Sequence, residues 1–285
     1  MRPLLLLAGL CLALSGHAQI DSTYSNKDTT RPGALPPPAG TDTIRVGNLI
    51  IVKSGKIDRS DHGTVHVYRR HSSYRPSNIS TNWGILDLGF ANYNDQTNYA
   101  SAGAMQFAPG SSKDWFRLRT GKSVNVNIWI FMQRLNLIKH VVNLKYGLGI
   151  ELNNYRYEEN IKFGVHPTRV FMDTINYSKN KLAADYVTVP FMLNFNFTPH
   201  RRNDYGFSVG ASVGYRYSSR QKFKSKETGK YKTFDDFDMD PWKISWIGEL
   251  QMGWLKLYGS YATKSMFLKG LDQRPYTVGL RFGNW

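Results

Sequence analysis

The end of the chain, Arg274–Trp285, reads RPYTVGLRFGNW and has a two-residue period. Its apolar positions are Tyr276, Val278, Leu280 and Phe282. The positions between them are small, polar or charged, namely Thr277, Gly279, Arg281 and Gly283. Successive side chains of a β-strand point to opposite faces, so the segment predicts a strand with one apolar and one polar face. A terminal strand leaves an unpaired edge unless the sheet closes on itself, so the segment favours a barrel.

The same alternation recurs in segments upstream, which are separated by turn-rich stretches. These further predicted strands cover residues 82–92, 123–133, 141–155, 182–197, 206–220, 242–252 and 255–263. With the terminal strand they make an even number, and strands of about ten alternating residues in even number are typical of bacterial membrane barrels. The sequence therefore predicts an all-β fold, an eight-stranded antiparallel transmembrane up-and-down β-barrel with a short N-terminal periplasmic extension. Within it, Pro190 lacks an amide proton and predicts a local break in the strand pairing.

The polar face of the predicted strands carries charges of both signs among small residues. We expect them to form a charge network in the lumen, with the members Asp87, Lys145, Glu151, Arg216, Lys243, Glu249 and Arg281. The narrow lumen of an eight-stranded barrel is filled by side chains of this kind. A soluble lipocalin-like barrel, the alternative architecture, would turn its apolar face inward around a small ligand.

Large aromatic residues lie near the ends of the predicted strands. We expect them to form the interfacial girdle of a membrane barrel, with the members Trp83, Tyr93, Tyr155, Tyr186, Trp242, Trp254 and Trp285. The connections between strands alternate between long and short. Membrane barrels place long loops outside and short turns in the periplasm, so both chain ends are predicted to be periplasmic.

The N-terminal region is predicted to export the chain. Residues 1–18 have the features of a signal peptide: Arg2, the apolar stretch Leu4–Leu14, and a small-x-small pattern that predicts cleavage after Ala18. A Pro-rich linker follows over residues 19–43, then a short β-hairpin-like periplasmic segment over residues 44–81, and the barrel over residues 82–285. The chain's one cysteine, Cys11, falls in the signal peptide, which excludes disulfides and thiol chemistry from the mature protein.

The composition restricts how the chain can cross a membrane and which kinds of partner it can bind. No apolar run after the signal approaches the ~18 residues of a membrane helix, which excludes a helical span. The formal net charge is +16. In an exported chain this charge favours anionic surfaces such as lipopolysaccharide phosphates, and no motif supports nucleic-acid binding. A first-loop segment, Asp114–Arg119, combines a Trp–Phe pair with arginines and suits a membrane interface; the other interpretation is a loop that packs on the barrel rim.

Several short motifs resemble those of a known family. They are Trp83-Gly84, Leu88-Gly89, Gly147-Leu148-Gly149, Asn154-Tyr155, Val187-x-Val189-Pro190, Ser260-Tyr261 and Val278-Gly279-Leu280. The chain resembles the Bacteroidetes-type outer-membrane β-barrel proteins of the PorT-like group, over residues 82–285. The resemblance implies a Gram-negative outer membrane as the location and does not imply an activity, although some members take part in protein secretion. The terminal strand also resembles the signal that such barrels present to their assembly machinery, carried by Tyr276, Val278, Gly279, Leu280, Phe282 and Trp285.

Candidate chemistry is sparse. Asp236, Asp238 and Asp240 alternate in one loop, and carboxylates so spaced can converge on Ca²⁺; the other interpretation is that they offset nearby lysines. No catalytic motif stands out, and no cofactor or firm metal site is predicted.

We therefore predict a non-enzymatic outer-membrane barrel that is a structural or interaction component of the envelope and an accessory to export or assembly. Its expected partners are outer-membrane lipid and lipopolysaccharide, the barrel assembly machinery, and periplasmic or secretion-system proteins, without nucleic acid. Two alternatives stay open, a barrel enzyme acting on lipid or peptide and a soluble periplasmic barrel that binds a small ligand.

Overall fold

The computed structural model describes residues 76–199 and 205–283, and the backbone of three strands nearer the N-terminus. The chain forms two compact units, residues 1–72 and 73–285. In the first unit, an antiparallel sheet has the strand order β1-β2-β3, with β1 at Asp42–Val46, β2 at Leu49–Lys53 and β3 at Val65–Arg69.

The N-terminal sheet corrects the prediction of a hairpin in two ways. The segment predicted as hairpin-like, 44–81, contributes to three paired strands instead of two, and β1 also includes Asp42 and Thr43, which the prediction places in the linker. The predicted signal peptide (1–18), its cleavage point at Ala18 and linker residues 19–41 lie outside the described residues.

The second unit contains all remaining strands. In chain order they are β4 (Ile79–Asp95), β5 (Val124–Ile138), β6 (Val142–Arg156), β7 (Ile161–Phe163), β8 (Val170–Met172), β9 (Lys179–Asn196), β10 (Tyr205–Lys224), β11 (Lys230–Phe234), β12 (Trp242–Met252), β13 (Leu255–Ala262) and β14 (Gln273–Phe282). Eight of them follow one another in the order β10-β12-β13-β14-β4-β5-β6-β9, and β9 pairs with β10, which closes the ring. The predicted eight-stranded antiparallel fold is confirmed.

Smaller elements occupy the long connections. The helix α1 (Ala102–Phe107) and two 3₁₀ turns lie between β4 and β5, while β7 and β8 form a hairpin between β6 and β9. The strand β11 pairs with the far end of β10, from Arg220 to Lys224. In the described part of the chain no helix has the length and apolarity needed to traverse a bilayer.

The two faces of the ring differ as the alternation predicts. Outward residues such as Val278 and Leu250 are apolar and exposed, whereas inward residues such as Asn125 and Gln251 are polar and buried. This arrangement is the opposite of a lipocalin-like barrel, whose apolar residues face inward.

A local irregularity corrects the predicted face of Met132. Val124 and Ile128 are exposed at even-numbered positions of β5, so a regular alternation predicts an outward Met132 as well, but Met132 points inward and is fully buried. The pairing of β5 with β6 shifts between Trp129 and Phe131, and across from this point Gly84 of β4 has a φ of 67°, a conformation that favours glycine. The irregularity reverses the side-chain alternation because a bulge adds one residue to the strand.

Pro190 interrupts a ladder as predicted. On the β6 side, pairing stops between Tyr146/Phe191 and Gly149/Thr188 and then resumes in the same register. On the β10 side, Pro190 stays paired with Ser212. The missing amide proton thus removes pairing with one neighbour only.

Candidate functional site

Arg281 of β14 is the centre of a buried ion network inside the ring. Its Nε and Nη2 donate to the two carboxylate oxygens of Asp87 at 2.7 and 2.8 Å, and its Nη1 donates to Glu249 Oε2 at 2.7 Å. Lys145 Nζ donates to the same Glu249 oxygen at 2.7 Å. Asp87 also accepts a hydrogen bond of 2.7 Å from Trp129 Nε1. Two cations and two carboxylates from four strands therefore neutralise one another.

A second buried pair joins this network through asparagines. Lys243 donates to Glu151, which also accepts from Asn153 Nδ2 at 3.0 Å. Asn125 bridges Asn153 and Asn127, and Asn127 donates to Asp87 at 3.2 Å. The structure thus brings six of the seven predicted lumen charges into one hydrogen-bonded group.

Arg216 is the predicted lumen charge that the structure places elsewhere. Its side chain donates to Ser219 Oγ at 2.7 Å and to the carbonyl oxygen of Met239 at 2.9 Å. A bulge in the pairing of β9 with β10, between Arg216 and Ser218, lies next to it. Arg216 therefore ties β10 to the loop that follows β11 and takes no part in the ion network.

Little space remains among these side chains. The lumen cavity lined by Trp129, Glu151, Glu249 and Arg281 has a volume of about 30 Å³. A single buried water needs ~10–15 Å³ on this measure, so the cavity admits a water or two and no organic solute. The lumen is therefore filled by these side chains, whose charges neutralise one another.

A hydrophobic cluster, which we call the loop plug, covers the end of the ring where the long connections emerge. Every long connection contributes to it, with the buried residues Phe107, Phe116, Leu118, Tyr157, Ile161, Phe163, Val170, Phe237, Met239, Met266, Phe267 and Leu271. Phe163 stacks on Phe267 with ring centroids 5.8 Å apart, and Phe267 also packs against Phe107 at 5.7 Å. The loops thus form a core of their own. Phe116 and Leu118 belong to it, as the rim-packing interpretation of the first loop expects.

The predicted aromatic girdle is wrong for three of its members. Tyr93, Tyr155 and Tyr186 are buried and belong to the cluster that forms the loop plug. They point inward because they share the strand face of lumen residues such as Asp87 and Glu151. Trp83, Trp242 and Trp254 are exposed, with Trp242 packed on Tyr215, so a girdle role stays a prediction for them; Trp285 lies outside the described residues.

The three alternating aspartates do not come together. Asp236 Oδ1 accepts from the amide of Asp238 at 3.2 Å, and Asp240 Oδ1 accepts from the amide of Trp242 at 2.8 Å. Among the residues that the structure describes, no group of three histidine, cysteine or acidic side chains could hold a metal ion. The three carboxylates therefore do not converge on a cation, and those of Asp236 and Asp240 accept hydrogen bonds within the turn.

The terminal strand has the faces that its sequence predicts. Val278, Leu280 and Phe282 are exposed on the outer face and Tyr276 is half-buried, whereas Arg281 points into the network. Gly279 lies opposite Gly89 of β4. A role of these residues as an assembly signal stays a prediction.

Gly279 is needed for packing in the folded ring. A Cβ atom built there would lie 2.3 Å from Leu88 O and 2.4 Å from Gly89 Cα, which are backbone atoms, and 2.7 Å from the Tyr258 ring. We expect Gly279→Ala to lower the free energy of unfolding by roughly 1–3 kcal/mol through overpacking. Denaturant unfolding of the detergent-solubilised barrel measures this, with Gly248→Ala as control because a Cβ there meets nothing closer than 3.9 Å. Equal destabilisation by both variants would contradict the packing role.

Comparisons with known proteins place this geometry in context. A family model described as "Outer membrane protein beta-barrel domain" matches residues 77–265. Among solved structures, the chain is similar to Ail, the attachment invasion locus protein of Yersinia pestis, in complex with the heparin analogue sucrose octasulfate. The sequence identity is 13%, the match covers 70% of this chain and 99% of that chain, and the TM-score is 0.29. No curated protein matches the chain.

Proposed function

Because this chain belongs to the outer membrane protein beta-barrel domain family, we propose that it acts as a non-conducting, non-enzymatic interaction component of the cell envelope. The observation that carries this proposal is the filled lumen. A buried ion network occupies the middle of the ring, and the loop plug covers one end. The surfaces left for function are the outer wall, the loops and the N-terminal unit.

The orientation and the export route belong to the same proposal. Long loops lie outside the cell and short turns in the periplasm, as in bacterial barrels generally. The signal peptide is cleaved after Ala18 and the barrel assembly machinery inserts the ring. The N-terminal sheet, β1 to β3, then contacts periplasmic or secretion-system proteins, and the chain is an accessory to export or assembly. Membership of the PorT-like group is proposed on the motifs Trp83-Gly84 and Val187-x-Val189-Pro190.

We propose that the protein is not an enzyme because the carboxylates of the lumen are paired with cations and have no space for a substrate beside them. Glu151, Glu249 and Asp87 each accept from a cationic side chain, and the remaining cavity of about 30 Å³ leaves no room for a substrate beside them. An acid or base that is neutralised by a partner and closed to substrate does not catalyse proton transfer.

Three assays on the full chain test the proposal: membrane fractionation with gel electrophoresis, conductance in a planar bilayer, and hydrolysis of lipid or peptide. We expect an outer-membrane location with a gel mobility that changes on boiling, and no conductance steps after reconstitution into a planar bilayer. Stable conductance would contradict a filled lumen. A lipid or peptide hydrolysis that loop substitutions remove without unfolding the barrel would favour an enzyme instead. A soluble periplasmic protein without a mobility shift would overturn the membrane assignment.

A further inference from the structure

The outer face of the sheet carries an array of cations at the long-loop end. In one row, neighbouring strands place Arg156 of β6 opposite Lys181 of β9, Lys181 opposite Lys222 of β10, and Lys222 opposite Lys232 of β11. A second row lies two residues further along each strand. It places Lys224 of β10 between its cross-strand partners, and the row consists of Lys179, Lys224 and Lys230. We call these two rows the basic sheet face.

Such an array is unfavourable by itself. Neighbouring strands are ~4.8 Å apart, and like charges directly opposite each other destabilise a sheet. Asp185, an acid on the same outer face, is already paired with Arg220. Within residues 76–199 and 205–283, no carboxylate lies within ion-pairing distance of these seven cations. Asp185 acts on Lys181 and Lys222 from beyond ion-pairing distance and offsets only part of the repulsion, so the array keeps an excess of positive charge.

Three further features point to an anionic ligand. The Nε of Arg156 is buried without a hydrogen-bond partner, although its Nη2 donates to Ser178 O at 2.8 Å. A groove of about 620 Å³ opens beside it, lined mostly by the cations of the basic sheet face. Lys181 lies beyond the membrane-spanning part of its strand, and burial together with the charges of Lys179, Lys222 and Arg220 lowers its pKa to about 8. A bound anion would relieve this repulsion.

The position of the array identifies the source of the anion. Large outward apolar side chains end at Val187 on β9 and at Tyr217 on β10, with only the small Ala183 beyond them on β9, and the cations continue the same outer surface. Lys181 is six residues past Val187, which for a strand tilted by ~40° corresponds to on the order of 15 Å above the apolar band. Phosphorylated sugars of the outer leaflet lie at this level, above the acyl chains.

We infer that the basic sheet face binds the phosphate groups of lipopolysaccharide in the surrounding outer leaflet. This inference rests on the proposed function, which puts the long loops outside the cell. Lysine ammonium groups and the Arg156 guanidinium donate charge-assisted hydrogen bonds to the phosphates. Two parallel rows match a ligand that carries several phosphates on adjoining sugars.

The test compares two variants that lose the same charge at the same end of the barrel. The first removes the centre of the array, Lys181→Gln, Lys222→Gln and Lys232→Gln. The control removes three exposed loop lysines, Lys113→Gln, Lys122→Gln and Lys269→Gln. Each full-length protein is purified in detergent and titrated with labelled lipopolysaccharide, with lipopolysaccharide whose phosphates have been removed, and with a soluble sulfated polysaccharide.

We expect the array variant to bind lipopolysaccharide at least about tenfold more weakly than wild type, since it loses three hydrogen bonds to charged groups. The control variant and wild type should bind alike, and removal of the phosphates should weaken wild-type binding to the same degree. An equal loss of affinity in both variants, or unchanged wild-type affinity for lipopolysaccharide without phosphates, would overturn the inference. Tighter binding of the soluble polysaccharide would overturn the assignment to a lipid.

Folding is followed on the same samples. The array variant should unfold at the same or a higher temperature than wild type, because it removes like-charge pairs. A variant that loses its heat-dependent gel mobility is replaced by the single substitution Lys222→Gln. If wild type is found outside the outer membrane, the proposed function fails; if wild type is a membrane barrel that does not bind lipopolysaccharide, only this inference fails.

Discussion

Replacing Arg281 with methionine is expected to lower the free energy of unfolding by about 3–5 kcal/mol, because it leaves buried carboxylates without their cation. Asp87 loses both of its hydrogen bonds to the guanidinium, and Glu249 keeps only Lys145 as a cationic partner. Denaturant unfolding in detergent, followed by tryptophan fluorescence, measures the change.

The same strand offers a matched control for Arg281. Arg274 pairs with Asp272 at 3.1 Å, but both side chains are more than a third exposed. Exposed ion pairs contribute about 0–1 kcal/mol, so Arg274→Met should have a small effect. The double variant Arg281→Met with Asp87→Asn should recover part of the lost stability, since it removes a charge from each side. If Arg281→Met and Arg274→Met were equally mild, the network would not hold the barrel together.

Replacing Phe267 with alanine is expected to loosen the loop plug. Phe267 is almost fully buried and its ring packs against Phe107 and Phe163, which come from two other long connections. Removal of a buried phenylalanine side chain costs about 3–5 kcal/mol. We expect faster proteolytic cleavage in the long loops, while the ring keeps its heat-dependent gel mobility because the ion network is unchanged.

The neighbouring residue provides the control for Phe267. Leu268 is exposed, so Leu268→Ala removes an apolar side chain of similar length without removing core packing. The long loops of the Leu268→Ala variant should be cleaved at the wild-type rate. Identical cleavage of the Phe267→Ala and Leu268→Ala variants would show that the loops do not form a common core.

The alternation of side chains was sufficient to predict the ring. It gave the number of strands and the inward side of Lys145 and Glu249, because a two-residue period fixes the face of every residue in a regular strand. It failed at Met132, because the irregularity near Trp129 reverses the period and has no clear signal in the sequence.

The girdle error could have been avoided with the same rule. Tyr155 has the same parity in its strand as Glu151, and Tyr93 has the same parity as Asp87. Strict use of the alternation places both tyrosines inside. The girdle prediction rests on their place near strand ends, and the position of a residue along a strand does not determine the face to which it points.

The loop plug and the basic sheet face depend on information that strand patterns do not contain. Phe107, Phe163 and Phe267 meet only because closure of the ring brings separate loops to one end, a contact between residues distant in sequence. The basic sheet face depends on how far β9 and β10 extend beyond their predicted ends at Leu182 and Arg220. Lys222 lies beyond the predicted end of its strand, so the sequence pattern indicates a loop residue, whereas the strand register places it beside Lys181 and Lys232.

The pairing of β14 with β4 also determines when the ring can form. Each of the other strand pairs in the ring joins ring strands that follow one another along the chain. This pair joins the last strand of the ring to the first, with Gln273 opposite Asp95 and Phe282 opposite Leu86. The entropic penalty of closing a loop grows with its length, so this pair has the highest penalty and forms late in folding. Until β14 is in place, the other strands can form only an open sheet with two unpaired edges, and a truncation before β14 would leave those edges open to aggregation.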